Sequence, residues 1–244
     1  MTLLEQTRTK RSGESGLGVV VCGAAGRMGS TLVRLIHENR AMKLAGAVES
    51  SDNPEIDKDA GEVAGVGKIG VPIVIGTTGL NQKQLAEIKR LSSKTRVLIS
   101  ANMSLGVNLL VSLMGRVAKT LGDDYDVEIV EAHHRFKKDA PSGTALALAQ
   151  PIAQALGRDL DRAGVCGRKG IVGERTKQEI GLLSVRAGDI VGEHTVIFGG
   201  LGERVEFIHR AQSRETFARG ALRAAQWLVK QKKGLYGMQD VLGL

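Results

Sequence analysis

Cysteine is nearly missing from this chain: Cys22 and Cys166 are the only two in 244 residues, and they form no CxxC pair. That argues against a disulfide framework and against a thiolate zinc site, and it suits a reducing cytosol. Aromatic residues make up only 3%, too few for a base-stacking platform, so the net charge of +8 is a poor signal for nucleic acid. Much of that charge sits in "RTKR" (8–11) and "KQKK" (230–233). It reads as solvated basic faces that favour small anionic substrates and cofactors. No apolar run reaches the ~18 residues of a membrane span. The N-terminal stretch lacks a hydrophobic signal core and carries Glu5 and Glu14, so residues 1–16 are expected to be a flexible extension of a cytoplasmic protein. Proline is scarce (4) against 32 glycines, a balance that suits tight strand-to-helix turns.

What is present is ordinary in bulk and patterned in detail. The 42% hydrophobic and 25% charged content fits a folded soluble chain. "LGVVVC" (17–22) reads as a strand running through glycines 23, 26 and 29 into the helix-period residues Leu32, Val33, Leu35 and Ile36. Further strands are expected at "KLAGAVES", ending at Glu49, at "VPIVIGTTG" (71–79) and at "TRVLIS" (95–100). A helix with Leu85, Ile88 and Leu91 on one face follows the third strand, and a long helix covers "NMSLGVNLLVSLMGRVAKTLG". Strand–helix alternation implies a parallel sheet flanked by helices.

The character changes near residue 125. "YDVEIVEAHH" is a strand and "PSGTALALAQPIAQALG" a helix interrupted by Pro151. "EIGLLSVRAGDIVGEHTVIFGG" and "GERVEFIHRAQ" alternate with period two, as in an antiparallel or mixed sheet, and "RETFARGALRAAQWLVKQ" is a closing helix. The fold class is therefore α/β: a Rossmann-like dinucleotide-binding half followed by an α+β half with a mixed sheet. The expected domains are 17–105 together with 215–244, and 106–214.

Gly23, Gly26 and Gly29 form a G-x-x-G-x-x-G turn. Residues without Cβ let backbone N–H groups approach a pyrophosphate at the positive end of a helix. Glu49 closes the next strand, near the offset expected of the carboxylate that holds ribose hydroxyls. A carboxylate there favours NADH, while Arg27 inside the loop leaves NADPH open.

The richest window is "EAHHRFKKDAPSGTA" (131–145). His133 and His134 leave a strand on opposite faces, so they do not readily share a metal, and no other His, Cys or acidic cluster has metal spacing. Histidine suits proton donation near neutrality. Ser142 is a good N-cap after Pro141, and with Gly143 and Thr144 it offers free N–H groups and hydroxyls to a carboxylate, next to the charges of Lys137 and Lys138.

Together these segments resemble the 4-hydroxy-tetrahydrodipicolinate reductase (dihydrodipicolinate reductase) family: "VVVCGAAGRMG", "IGTTGL", "SANMSLGVNLL", "EAHHRFKKDAPSGTAL", "RAGDIVGEHTVIFGG" and "HRAQSRETFARGALRAAQWL". The resemblance implies hydride transfer from NADH or NADPH to a cyclic dicarboxylate imine with loss of water, in the diaminopimelate route to lysine. It implies His133 as proton donor, Lys137 as its cationic partner, and His134, Ser142, Gly143 and Thr144 as carboxylate ligands. The cofactor set would be Gly23, Ala24, Ala25, Gly26, Arg27, Met28, Glu49, Gly76, Thr77, Thr78, Ala101, Asn102 and Met103. A homotetramer built from the sheets of residues 106–214 is implied too.

One departure stands out. Members of the family carry another β-α-β stretch, roughly 30 residues, where here "GVGKIGVP" runs straight into "IVIGTTGL". Residues 50–70 are a poor replacement, lacking a clear helical stripe. The expected consequence is a first domain shortened by about one β-α-β unit, narrower, less stable and open at the nicotinamide end. Phe136 also stands where relatives often have a third histidine. A competing expectation is therefore a reductase-like oligomeric ligand-binding protein with impaired or lost turnover. Another nucleotide-linked dehydrogenase would leave the His-His and Ser-Gly-Thr cluster unexplained.

Overall fold

The computed structural model describes residues 16–49, 54–55, 58–66, 73–75, 86, 89–90, 93, 96–100 and 102–244. The expected flexible extension lies, but for residue 16, outside them, as do Gly76, Thr77, Thr78 and Ala101. The chain divides into two units, Met1–Gly79 and Leu80–Leu244.

The first unit begins with β1 (Leu17–Cys22), α1 (Arg27–Glu38) and β2 (Met42–Glu49), followed by the one-turn α2 (Ala60–Val63) and β3 (Ile73–Ile75). The strands are parallel in the order β1-β2-β3. Helix α1 buries Gly29, Val33, Leu35 and Ile36, the i, i+4, i+7 stripe that an amphipathic helix lays on a sheet. Asp59 caps α2 by accepting from the N–H groups of Gly61 and Glu62, so the connection from β2 to β3 holds one helical turn where no stripe was expected. Of the third expected strand the described part is three residues long. Leu85, Ile88 and Leu91, which carry the helix expected after it, lie outside the described residues.

Among the described residues, the second unit holds β4 (Arg96–Leu98), α3 (Leu105–Leu121), β5 (Asp126–His133) and α4 (Gly143–Ala155). Then come α5 (Leu160–Ala163), β6 (Gly164–Val165), β7 (Ile180–Arg186), β8 (Gly192–Gly199), β9 (Arg204–Ala211), α6 (Glu215–Leu228), β10 (Gly234–Tyr236) and α7 (Met238–Leu242). Five strands form one mixed sheet, β6-β7-β5-β8-β9. β5 runs parallel to β7 and antiparallel to β8.

Two expectations need correction. Pro151 does not interrupt its helix: α4 runs through it to Ala155. The lost N–H is outweighed by burial, since Leu148, Ala149, Ile152 and Ala153 are all sealed in the core. Gly115 of α3 admits the proline turn closely, because a Cβ there would lie 3.3 Å from the Pro151 carbonyl oxygen. Nor does the helix at 215–228 close the chain. β10 pairs parallel with β4, and Met238 and Val241 of α7 form a small core with Ala224 of α6, against which Leu98, Met103 and Trp227 pack.

The covered face of the five-stranded sheet positions the site. Alternation along β5 puts Val127, Ile129, Glu131 and His133 on one side. Register then aligns Leu182, Ile129 and Val196 as one apolar row. The next row reads Ser184, Glu131, His194 and His209 across four strands. The same face thus changes from apolar to polar between residues 129 and 131. Ser142 and Ser104, the N-caps of α4 and α3, meet that polar row.

Candidate active site

Glu131 is a carboxylate with 1% of its surface exposed, and both of its oxygens have partners. Its Oε1 accepts from the Ser142 N–H at 3.1 Å and from Arg186 at 2.8 Å. Its Oε2 accepts from Arg186 at 2.7 Å and meets His133 Nδ1 at 2.6 Å. Burial alone would raise its pKa, but the hydrogen bonds from Arg186, Ser184 and His133 reverse this and hold it at about 2. Arg186 is held in turn by the carbonyls of Val185 and Asp139.

His194 stacks edge-on against His133, ring centroids 5.2 Å apart, and its Nε2 lies 3.2 Å from Ser142 Oγ. Burial, then the charge of His133, push His194 down to about 4 against the opposite pull of Glu131, so it is neutral at neutral pH. The pattern repeats one strand on, where His209 Nε2 meets Ser104 Oγ at 3.2 Å and burial lowers the pKa of His209.

Ser142 spends its polar groups inside the protein: its N–H on Glu131, its Oγ on the Ala145 N–H and on His194. Gly143 is exposed with open space where a Cβ would stand, and the first turn of α4 carries no acid. The positive end of α4 is therefore open at Gly143 and Thr144, a suitable seat for a carboxylate. Thr144 Oγ1 accepts from Asn102 Nδ2 at 3.0 Å, which joins a residue expected to bind cofactor to one expected to bind substrate. Asn102 is itself braced by the Ser104 N–H and the Ser100 hydroxyl. Met103 packs in the small core with α7. Lys137 Nζ pairs with Asp139 at 2.9 Å, and its charge reaches His194. His134 lies 6.2 Å from the ring of Phe136, which is exposed.

In the first unit the glycine turn is closed by a hydrogen bond from the Gly26 N–H to the Gly23 carbonyl. Gly23 has φ +69°, a conformation glycine adopts without strain. A Cβ on Gly29 would stand 1.9 Å from Gly23 O, so only glycine lets α1 start this close to β1. Gly26 and Arg27 are exposed and Ala24 is buried; Met28 is half-buried. The helix start has no side-chain cap and no acid in its first turn. These features fit a dinucleotide pyrophosphate. Glu49 closes β2 as expected, its side chain outside the described residues. No group of three or more His, Cys, Asp or Glu among the described residues is placed to hold a metal. No helix among them is long and apolar enough to cross a membrane.

Sequence reasoning missed Glu131, Arg186 and His194. A signal existed for the first: in "DVEIVEAH" the alternation puts Glu131 on the face of Val127 and Ile129, where a lone acid demands partners.

Both buried groups make the folded chain less stable in acid. Glu131 has a folded value below its ordinary 4.5, so its contribution is complete above 4.5 and is lost as pH falls towards 2. An unfolded chain protonates His194 near 6.5, but the folded chain resists until about 4, so stability also falls through that higher window. Urea unfolding followed by circular dichroism should show stability declining from pH 6.5 downward. His194→Gln should make the stretch between 6.5 and 4 shallower, leaving the share of His209 and the lower decline. An unchanged slope in the variant would count against this assignment.

The comparisons with known proteins cover most of the chain. The profile "Dihydrodipicolinate reductase, C-terminus" matches residues 106–242, and "Dihydrodipicolinate reductase, N-terminus" matches 17–73 and 68–103. The chain belongs to the dihydrodipicolinate reductase family. A 4-hydroxy-tetrahydrodipicolinate reductase of Syntrophus aciditrophicus is 48% identical, covering 93% of this chain and 98% of its own. That of Syntrophobacter fumaroxidans is 47% identical over 92% and 98%. A dipicolinate-bound dihydrodipicolinate reductase from Paenisporosarcina sp. TG-14 shares the fold, with a TM-score of 0.64 at 22% identity over 92% of this chain and 99% of that one.

The dihydrodipicolinate reductase match also locates the departure seen in the sequence. The alignment with the Syntrophus protein runs over 264 positions, more than the 244 residues of this chain, so the relative has residues without a counterpart here. The N-terminal profile breaks into two pieces that meet at 68–73, the "GVGKIGVP" join. Among the described residues, the first unit accordingly holds a sheet of only three parallel strands.

Proposed function

We propose that the chain is an NAD(P)H-dependent 4-hydroxy-tetrahydrodipicolinate reductase. The observation that carries this reading is the histidine–carboxylate pair His133–Glu131, set beside the open, acid-free start of α4. A dinucleotide, when bound at the glycine turn, supplies the hydride. Hydride addition to the ring of a cyclic imine displaces an electron pair onto the neighbouring atom, and water is lost overall.

His133 donates the proton to that atom. The N–H groups of Gly143 and Thr144, the Thr144 hydroxyl and His134 hold the carboxylates, while Ser142 keeps the helix end in place. Lys137 adds positive charge to the dianion's seat. Fixing both carboxylates orients the ring towards the acid, which is where such a site gains its rate. The reading extends to a four-chain assembly through the sheet of residues 106–214 in the cytoplasm.

The test is to mix purified protein with freshly generated substrate and follow NADH and NADPH absorbance in separate runs. Oxidation dependent on substrate with either cofactor is the expected result, and the faster run identifies the preferred one. Binding of a pyridine dicarboxylate without oxidation of either cofactor would reject the reading.

A further inference from the structure

We infer that Glu131, gripped by Arg186 and by the amide of Ser142, is the positioning residue of the proton donor: it makes Nδ1 of His133 the permanently protonated nitrogen and leaves Nε2 to deliver the proton. The inference rests on the reductase reading for the role of His133, but its first test does not.

The geometry permits one arrangement. An ionised carboxylate only accepts hydrogen bonds, so the nitrogen 2.6 Å from Oε2 must carry hydrogen. Arg186 bridges both oxygens of the same carboxylate, and the Ser142 N–H takes one of them. The carboxylate plane is thereby set from three sides, by β5 itself, by β7 and by the start of α4. A ring bonded to that plane cannot turn over without breaking its bond. On its far side the ring faces Gly192, where a Cβ would stand only 3.1 Å from Nε2; glycine keeps that edge clear.

The carboxylate does not itself take the proton, because Arg186 and its other donors keep it ionised throughout. When His133 gives up its Nε2 proton, the electron pair of that N–H bond stays on Nε2, and the neutral ring remains protonated at Nδ1. Solvent then recharges it. This is the division of labour in a Ser-His-Asp triad, where the buried acid selects the tautomer and never becomes protonated. The simpler alternative is that Glu131 only ties β5 to β7 through Arg186.

Nitrogen-15 NMR of the labelled full chain, at a pH where His133 is neutral, separates these. The expected tautomer is Nδ1–H, the opposite of the Nε2–H form that an unconstrained histidine side chain favours in water. Nε2–H in the wild-type protein would overturn the inference. That measurement needs neither a variant nor turnover, so it stands if the chain proves not to reduce the substrate.

Glu131→Gln should switch His133 to Nε2–H and lower kcat on the order of 100-fold, at the lower end of what general acids contribute, with KM changed less than about 3-fold. Arg186→Lys, which leaves a cation beside the carboxylate, should keep the Nδ1–H tautomer and most of kcat. A Glu131→Gln protein with unchanged kcat, or one whose kcat falls only in step with its folded fraction, would leave Glu131 as a strand tie and nothing more.

Discussion

His133→Gln is expected to lower kcat about 1,000-fold, while a pyridine dicarboxylate still binds within about 3-fold of its wild-type affinity. General acids contribute some 10²–10⁴ in rate, and a 1,000-fold loss corresponds to about 4 kcal/mol of transition-state stabilisation. Glutamine is the informative replacement because its side-chain amide still donates to Glu131 Oε2 but has no proton to give at neutral pH. The carboxylate seat should survive, since the start of α4 is held by the Ser142 cap on Ala145 and by the Ser142 amide on Glu131, neither of which passes through residue 133. Steady-state kinetics and calorimetric titration of the analogue measure the two quantities separately. Turnover within a few-fold of wild type, or analogue affinity falling as far as kcat, would remove His133 from the role of acid.

Gly29→Ala should abolish useful cofactor binding. The added Cβ would stand 1.9 Å from Gly23 O, 2.6 Å from Ala24 Cα and 2.7 Å from Gly23 C. All three are backbone atoms, so no side-chain rotation relieves the clash and the turn must open. Overpacking of this kind costs roughly 1–3 kcal/mol or more, and the displaced N–H groups are those that would meet the pyrophosphate. A fall in NADH affinity of about 100-fold, equivalent to about 2.7 kcal/mol, is expected in a fluorescence titration, together with a lower Tm. Gly46→Ala in β2 is the control. Its Cβ would meet only Val20 methyl groups at 3.6 Å, ordinary contact, so affinity should stay near wild type. Equal affinities in the two variants would mean that the turn is not the cofactor seat.

Much of the candidate site's local frame was legible in the sequence because its parts are local. A glycine every third residue after an apolar strand signals a close turn, since no other residue type tolerates that approach. A serine after proline, followed by an apolar helical run, signals a cap with open N–H groups. Local rules failed where packing outweighed them. Pro151 breaks an isolated helix, but α4 is held from outside itself by a sealed core. β10 and α7 span three and five residues, too short to show a period, and they exist because β4 and the small core around Met238 receive them.

By itself, then, the sequence determined the close glycine turn, the strand that delivers His133, the capped helix start and the family to which the chain belongs, each a pattern within some fifteen residues. Only the tertiary structure decided who stands next to His133. Arg186 is 55 residues from Glu131 along the chain, and it arrives there because β7 lies parallel to β5 with Arg186 opposite His133. His194 arrives by the antiparallel pairing on the other side. Strand order and register are set by how five half-apolar ribbons jointly bury one face under α3 and α4, a choice made by the whole unit at once and carried by no short stretch of it.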